Sequence, residues 1–372
     1  MVSCNRRTDV FIIGGGPAGL ATAIAARQLG LSATIADGTE PPIDKACGEG
    51  LMPETIAALS ELGVGIHLGQ GFRFRGIRFF GGRHSAGAEF PQGPGLGIRR
   101  TLLHEYLIRR AEACGAQLLW QTPVVGLCSA GVQLPREVVA ARWIVGADGS
   151  GSRVRRWAGL DRATREKQRF AVRRHYALAP WSEYVEIYWS RRAQAYVTPI
   201  GRKEVCVVIL AEELGDADCD AFLRHCPELR ERLAGGSISS RERGAITLMH
   251  SLSAVHAGNI ALVGDASGGV DAITGEGLRL AFRQAIALAA AMKKGRLARY
   301  GRTHRALARK PMLMGDLLLL LGRNEWIRSR ALRMLNQHPQ VFARMLALHS
   351  GNAEWPDLVS AGAQLGWRFL TA

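Results

Sequence analysis

The sequence predicts an α/β protein: a discontinuous, Rossmann-like dinucleotide-binding domain, interrupted by an inserted antiparallel-sheet domain and followed by a helical C-terminal tail. Three observations predict it. Residues 9–36 read strand, glycine turn, helix, strand. The middle third alternates in short segments rich in Tyr, Trp and Val between turn residues. Beyond it, residues 259–293 return to an apolar strand, a glycine turn and a long helix, so the pieces of one domain flank the other.

In chain order, residues 9–14 (DVFIIG) are a β-rich apolar run, 17–29 have helical spacing and 32–36 form a second strand. Pro53 suits the first turn of a helix ending near Gly63. Residues 72–90 hold two alternating segments that read as a hairpin, and 100–114 are amphipathic and closed by Gly115, which predicts a helix. Short strands are expected at 117–120, 123–128 and 138–146. The antiparallel sheet follows at 169–178, 183–189, 194–200 and 203–210, then a helix over 216–234, a strand at 259–263 and a helix from about 276 to 293. The dinucleotide domain is therefore assigned 1–70, 96–165 and 245–310, the sheet domain 71–95 and 166–244, and the helical region 311–372.

A chain of 372 residues with 47% hydrophobic and 22% charged residues can bury real cores, which excludes disordered and fibrous classes. Its net charge of +16 predicts attraction to something anionic. No nucleic-acid reader motif accompanies that charge, so nucleic acid is not an expected partner. The seven cysteines are scattered and never spaced C-x-x-C, which argues against a disulfide framework and a zinc site, so no metal is expected and a reducing cytoplasm fits. Arg6 and Arg7 precede an apolar run, but its glycines fit a nucleotide loop better than an export signal. The run from Met312 to Leu321 is too short to cross a bilayer and contains Asp316.

Gly14, Gly16 and Gly19 satisfy G-x-G-x-x-G after a strand and at the opening of a helix. In that context the turn, the close backbone approach to pyrophosphate and the helix dipole all serve an anionic dinucleotide. Asp37, at the end of the second strand, is placed to accept ribose hydroxyls. Two further patterns follow: WIVGADGSGSRVR over 143–155, carrying Asp148, and NIALVGDASGGVDAITGEG over 259–277, carrying Gly264 and Asp265. With these three motifs in order, the chain resembles the flavoprotein hydroxylase superfamily, which includes aromatic-ring monooxygenases and geranylgeranyl reductases, over roughly residues 8–310.

The resemblance implies FAD as the cofactor, with Gly14, Gly16, Gly19 and Asp37 on its ADP half. It implies Arg100 near the cofactor, a backbone contact from Val124 to adenine, Asp148 at a shared flavin and nicotinamide motif, and Asp265 on the ribityl or pyrophosphate region. It also implies that NAD(P)H binds transiently as reductant, since the chain holds one dinucleotide fingerprint. The turn Gly275-Glu276-Gly277 opens a helix whose amides should face the flavin pyrimidine edge and stabilise charge there. The chain departs from relatives in carrying Leu103-His104 where reductases have a Phe-Asp pair, and Asp271-Ala272 where hydroxylases have a proline. It also lacks the tryptophan signature of flavin halogenases.

Residues 45–53 (KACGEGLMP) resemble the cysteine-glycine loop of geranylgeranyl reductases and of bacterial oxidoreductases of polyketide-like and lipid-like substrates. Cys47 is therefore a candidate proton donor at the flavin, or a packing residue. Tyr196, in an aromatic-x-x-Pro strand, is expected against the flavin ring. His175 is a candidate acid-base group, with segments 174–175 and 186–189 expected to pair and line a substrate cavity. Two reactions follow for a hydrophobic small molecule: hydroxylation of an aromatic or polyketide-like substrate, or saturation of isoprenoid double bonds. Ten Lys and Arg residues between Leu278 and Gly315, with no acid, followed by apolar segments, also predict a peripheral membrane contact on the cytoplasmic side.

Overall fold

The computed structural model describes residues 6–190 and 193–349. Its first sheet runs in the order His256–Ala257, Ile260–Leu262, Val138–Gly146, Arg6–Ile13, Ala33–Ala36, Gln117–Leu119, and the last five of these strands are parallel. The strands at its centre read as unbroken apolar runs because both faces are covered. On one face, Leu20 and Ile24 of the helix Pro17–Gln28, Leu107 of Arg100–Ala113 and Phe282 and Leu288 of Gly277–Lys293 share one buried cluster with Val10 and Ile12. Phe11 and Ile13 point into a second cluster on the other face, as alternation along a strand requires. A hairpin, Gly126–Cys128 and Gly131–Gln133, adds to Val138–Gly146; its second strand was not legible beforehand.

The second sheet is ordered Ser237–Ile238, Ala163–Ala177, Glu204–Ala211, Ala193–Gly201, Tyr184–Trp189, Gly76–Gly81, His84–Glu89. It is antiparallel except where Tyr184–Trp189 meets Gly76–Gly81. Arg243–Leu252 also pairs with Ala163–Ala177, so this sheet extends past residue 244, where the sequence places its end. The helix expected over 216–234 is two, Cys219–His225 and Pro227–Leu233, because Pro227 cannot donate to a preceding turn. A small third sheet, Gly50–Leu51, Gly95–Gly97 and Phe72–Phe74, packs its backbone directly on the second: a Cβ at Gly97 would meet the Pro199 carbonyl oxygen at 1.8 Å.

Three C-terminal helices, Leu297–Arg323, Glu325–Gln337 and Pro339–His349, cover one face of the second sheet. Val185, Ile187 and Trp189 point toward them, and Phe79 stacks between Trp189 and Phe342 at centroid distances of 4.7 and 5.3 Å. Glu186 and Tyr188 alternate to the opposite face, where Glu186 accepts from Trp181, Tyr188 and Arg232. The expected pairing of segments 174–175 and 186–189 is therefore corrected: two strands separate them. Within the basic run after Leu278, Arg279 is buried against Glu276 and Arg283 is bound to Glu61. Among the described residues no helix is long and apolar enough to cross a membrane.

Candidate active site

The carboxyl ends of the parallel strands open onto a cavity of about 670 Å³ that extends to the second sheet. Gly14, Gly16, Asp37, Cys47, Arg100, Val124, Asp148, Tyr196, Gly264, Asp265, Gly275 and Gly277 all line it. This is the location expected for a ligand of an open α/β sheet. Gly19, Glu276 and His175 do not line it.

The glycine loop separates two requirements. A Cβ at Gly14, at φ +111°, would meet the Ala147 carbonyl oxygen at 2.4 Å, and one at Gly19 would meet the Gly14 oxygen at 1.9 Å. These two are glycine for the protein's own packing. At Gly16, Gly48 and Gly277 a Cβ would meet nothing within 4 Å, and all three line the cavity, so the bare backbone there leaves room for a bound group. The helices starting at Pro17 and Gly277 both open toward this space without a side-chain cap, so their first amides and dipoles are available to an anion. Arg100 lines the same space, and its buried Nε has no hydrogen-bond partner within the protein. These features fit FAD: a diphosphate at the first helix start, a cation beside it, and amides of the second helix at the ring edge.

Individual residues take sharper roles. Asp37 holds the Gly15 amide at 2.7 Å through one oxygen and Thr39 through the other, fixing the loop whose cavity side it lines. Asp148 caps the short helix Arg153–Trp157, accepting from the Ser152 hydroxyl at 2.5 Å and the Arg153 amide at 2.7 Å. Its carboxylate is thereby structural, although it borders the cavity. Asp265 pairs with Lys45 at 3.6 Å, bringing the 45–51 loop to the third motif. Glu276 is corrected: its side chain is buried on Arg279 and its amide donates to Thr274 Oγ1, leaving Gly275 and Gly277 as the lining residues of that turn. Tyr196 lines the cavity and donates its hydroxyl to the Ile273 carbonyl at 2.9 Å; burial raises its pKa, so the proton stays.

His175 is also corrected. It is fully buried and outside the cavity lining, with Nε2 2.7 Å from Glu49 and Nδ1 2.7 Å from Arg99. Because a guanidinium only donates, Nδ1 accepts and the ring proton lies on Nε2, donated to Glu49. Glu49 is the residue that sequence reasoning missed. Held at φ +56°, it also accepts from the Arg100 amide at 2.9 Å and from Arg173, while its own amide donates to Cys47 Sγ at 3.4 Å. Arg173 in turn grips Asp44 at 2.7 Å and holds that carboxyl below its usual range. Ligand atoms of Glu49, His175 and Cys206 lie within 4.8 Å of one another, but Arg173 and Arg99 already supply the positive charge there.

The departure at His104 has a structural reason. Its Nε2 donates to the Gly15 carbonyl at 2.8 Å while Nδ1 accepts from the Ile43 amide, and burial lowers its pKa, keeping the ring neutral. Beside it, the Trp120 ring occupies the position a Cβ on Gly15 would need. His104 thus clamps the glycine loop from behind.

A second cavity of about 100 Å³ adjoins the first, sharing Gly48, Gly50, Tyr196 and Gly275 with it. Its remaining wall is Ile77, Phe79, Ile187 and Trp189 of the second sheet opposite Leu318, Leu332, Phe342 and Leu346 of the C-terminal helices.

A dinucleotide cradle at the strand ends, meeting an apolar chamber where the uncapped second helix begins, is the arrangement of a flavin-dependent oxidoreductase. The chain belongs to the FAD binding domain family, whose model matches residues 7–296. It is 29% identical over 303 residues to a menaquinone reductase of Mycolicibacterium smegmatis, covering 74% of this chain and 73% of that protein. It is 25% identical to digeranylgeranylglycerophospholipid reductase 1 of Methanothermobacter thermautotrophicus, covering 75% of each. A flavoprotein/dehydrogenase from Cytophaga hutchinsonii shares the fold at a TM-score of 0.79, with 18% identity, over 97% of this chain and 100% of that one.

Proposed function

We propose that the protein is an FAD-dependent reductase that saturates a carbon–carbon double bond in a polyisoprenoid lipid. The observation that carries this reading is the apolar chamber that meets the cofactor cavity at Gly48, Gly50, Tyr196 and Gly275, with Cys47 on the cavity side of that junction. A chamber walled by Leu, Ile, Phe and Trp suits an apolar, methyl-branched isoprene unit. The printed names of both relatives, a menaquinone reductase and a digeranylgeranylglycerophospholipid reductase, support a substrate of this class. Hydroxylation of an aromatic substrate, the other reaction compatible with the family, draws no comparable support from this wall.

FAD held in this cavity and reduced by a nicotinamide donor would supply a hydride equivalent. The protein's residues do the rest. Arg100 and the uncapped start at Pro17 would hold the diphosphate, and the amides at Gly277 would serve the ring edge. Saturation needs one proton for each hydride, and Cys47 Sγ is the group assigned to deliver it to the substrate carbon. The Glu49 amide fixes that sulfur, and the Cys206 thiol, kept protonated by burial, reaches the Cys47 carbonyl oxygen at 3.6 Å from behind. Tyr196 stays protonated and walls the junction.

The test is turnover of a polyprenyl lipid without oxygen, read by mass spectrometry. A product gaining two hydrogens anaerobically supports the reductase; an oxygenated product formed only in air would replace it with a monooxygenase. Cys47→Ser should leave cofactor reduction unchanged and slow saturation by about 10²-fold, the usual worth of general acid catalysis. Equal turnover would return Cys47 to packing.

A further inference from the structure

The outer face of the helix Leu297–Arg323 carries a pattern that neither cofactor binding nor the apolar chamber requires. Arg302, Arg305, Arg309, Leu313, Leu317 and Leu320 follow one another at intervals of three and four residues, so they form one lengthwise stripe. All six are exposed. The stripe is basic for its first half and apolar for its second. Leu313, Leu317 and Leu320 are 52%, 37% and 49% exposed, and Trp326, the second residue of the next helix, is 64% exposed. Asp316 flanks the apolar half on the same helix, and Glu325 precedes Trp326.

We propose that this stripe is a docking surface for an anionic lipid bilayer. Such a surface offers anionic headgroups and hydrocarbon in adjacent layers, and a helix whose cations and leucines are segregated lengthwise meets both by entering obliquely. The leucine end and Trp326 then pass the headgroup level, where tryptophan is favoured, while Arg302, Arg305 and Arg309 remain among the phosphates. Charge selects this partner over a second copy of the chain, which would bring its own +16 to the contact. A nucleic acid would answer the arginines but not the leucines.

The position of the stripe adds a second argument. Leu317 is exposed and also lines the apolar chamber, with Met314, Leu318 and Leu321 of the same helix on the chamber wall. One helix thus separates the chamber from the proposed membrane face, placing the hydrocarbon layer next to the space that would hold a lipophilic substrate. The docking claim itself does not depend on which reaction the site performs.

The test is sedimentation of the full-length protein with vesicles of phosphatidylcholine, with and without phosphatidylglycerol. Binding is expected only with phosphatidylglycerol, and it should disappear at high salt. Arg302→Gln/Arg305→Gln/Arg309→Gln should weaken partitioning by about 100-fold, from roughly a fivefold loss per basic residue at an anionic surface. Leu313→Ser/Leu320→Ser/Trp326→Ser should weaken it at every salt concentration at which the wild type binds. Unchanged thermal unfolding and unchanged bound-flavin absorbance would show that both variants are folded. Absence of wild-type pelleting at low salt would overturn the proposal. So would undiminished binding by both variants, or a wild-type dimer that the serine variant splits without loss of vesicle binding.

Discussion

Glu49 holds three groups on two elements through one buried carboxylate: the Arg100 amide at the start of a helix, and Arg173 and the His175 ring proton on one strand of the second sheet. Its left-handed backbone is what turns the carboxylate inward while the neighbouring Cys47 lines the cavity. Glu49→Ala leaves Arg173 and His175 facing a void. Breaking a buried ion pair in this way costs about 3–5 kcal/mol, so the urea midpoint should fall sharply and flavin should be released early in unfolding. At Asp265 the stakes are smaller, because its side chain is half exposed. Asp265→Ala should weaken FAD retention by roughly 10-fold or more, the worth of a hydrogen bond to a charged group, measured by dialysis and absorbance. The glycines of the cavity wall were legible in the sequence because a loop that admits an anion needs bare backbone at fixed spacing. Glu49 and His104 were not, since each acts through backbone groups 51 and 89 residues away in the chain.

The helix Pro17–Gln28 rests on the first strand with no spare distance: Gly19 faces the Gly14 carbonyl and Ile12 directly. Gly19→Ala forces that helix outward. Overpacking of this kind costs about 1–3 kcal/mol, and here it also shifts the uncapped helix start, so the melting temperature and FAD occupancy should fall together. Occupancy unchanged at a lowered melting temperature would separate helix packing from cofactor binding. Elements bounded by glycine signals, such as Arg100–Ala113 with Gly115 after it and Gly277–Lys293 after its glycine turn, ended within a residue or so of the positions read from sequence. The strand Arg243–Leu252 was missed because it lies at the sheet margin, with most of its residues exposed or half-buried, so its composition carries no apolar alternation. His175 was misassigned for a related reason: alternation along Ala163–Ala177 says which residues share a face, but only the fold decides that its face meets the buried loop.

For the molecule as a whole, acid sensitivity has an identifiable contributor at the seam between the cofactor sheet and the C-terminal helices. His304 is buried beside Tyr300 and bonded to Ser267 Oγ at 2.9 Å, and burial lowers its pKa from 6.5 to about 4. The unfolded chain therefore takes up this proton near pH 6.5 whereas the folded protein resists it until about pH 4. By linkage, the stabilisation present above pH 6.5 is lost as pH falls through this window, by up to about 3 kcal/mol. His304→Gln should flatten the decline of unfolding free energy between pH 6.5 and 4 relative to wild type; parallel curves would remove His304 from the account.

The stacked pair Phe79 and Phe342 closes the apolar chamber with one ring from the sheet and one from the last described helix. The wall shared with the larger cavity and the wall formed by that helix are thus encoded in separate stretches of the gene, so the far end of the chamber can change by substitution near residue 342 while the shared wall stays intact. Under the proposed isoprenoid reading the chamber would act as a ruler with an adjustable end stop: Phe342→Ala should lengthen it and favour longer prenyl chains, whereas Leu346→Trp should shorten it, and competition between chain lengths in one assay reads the shift.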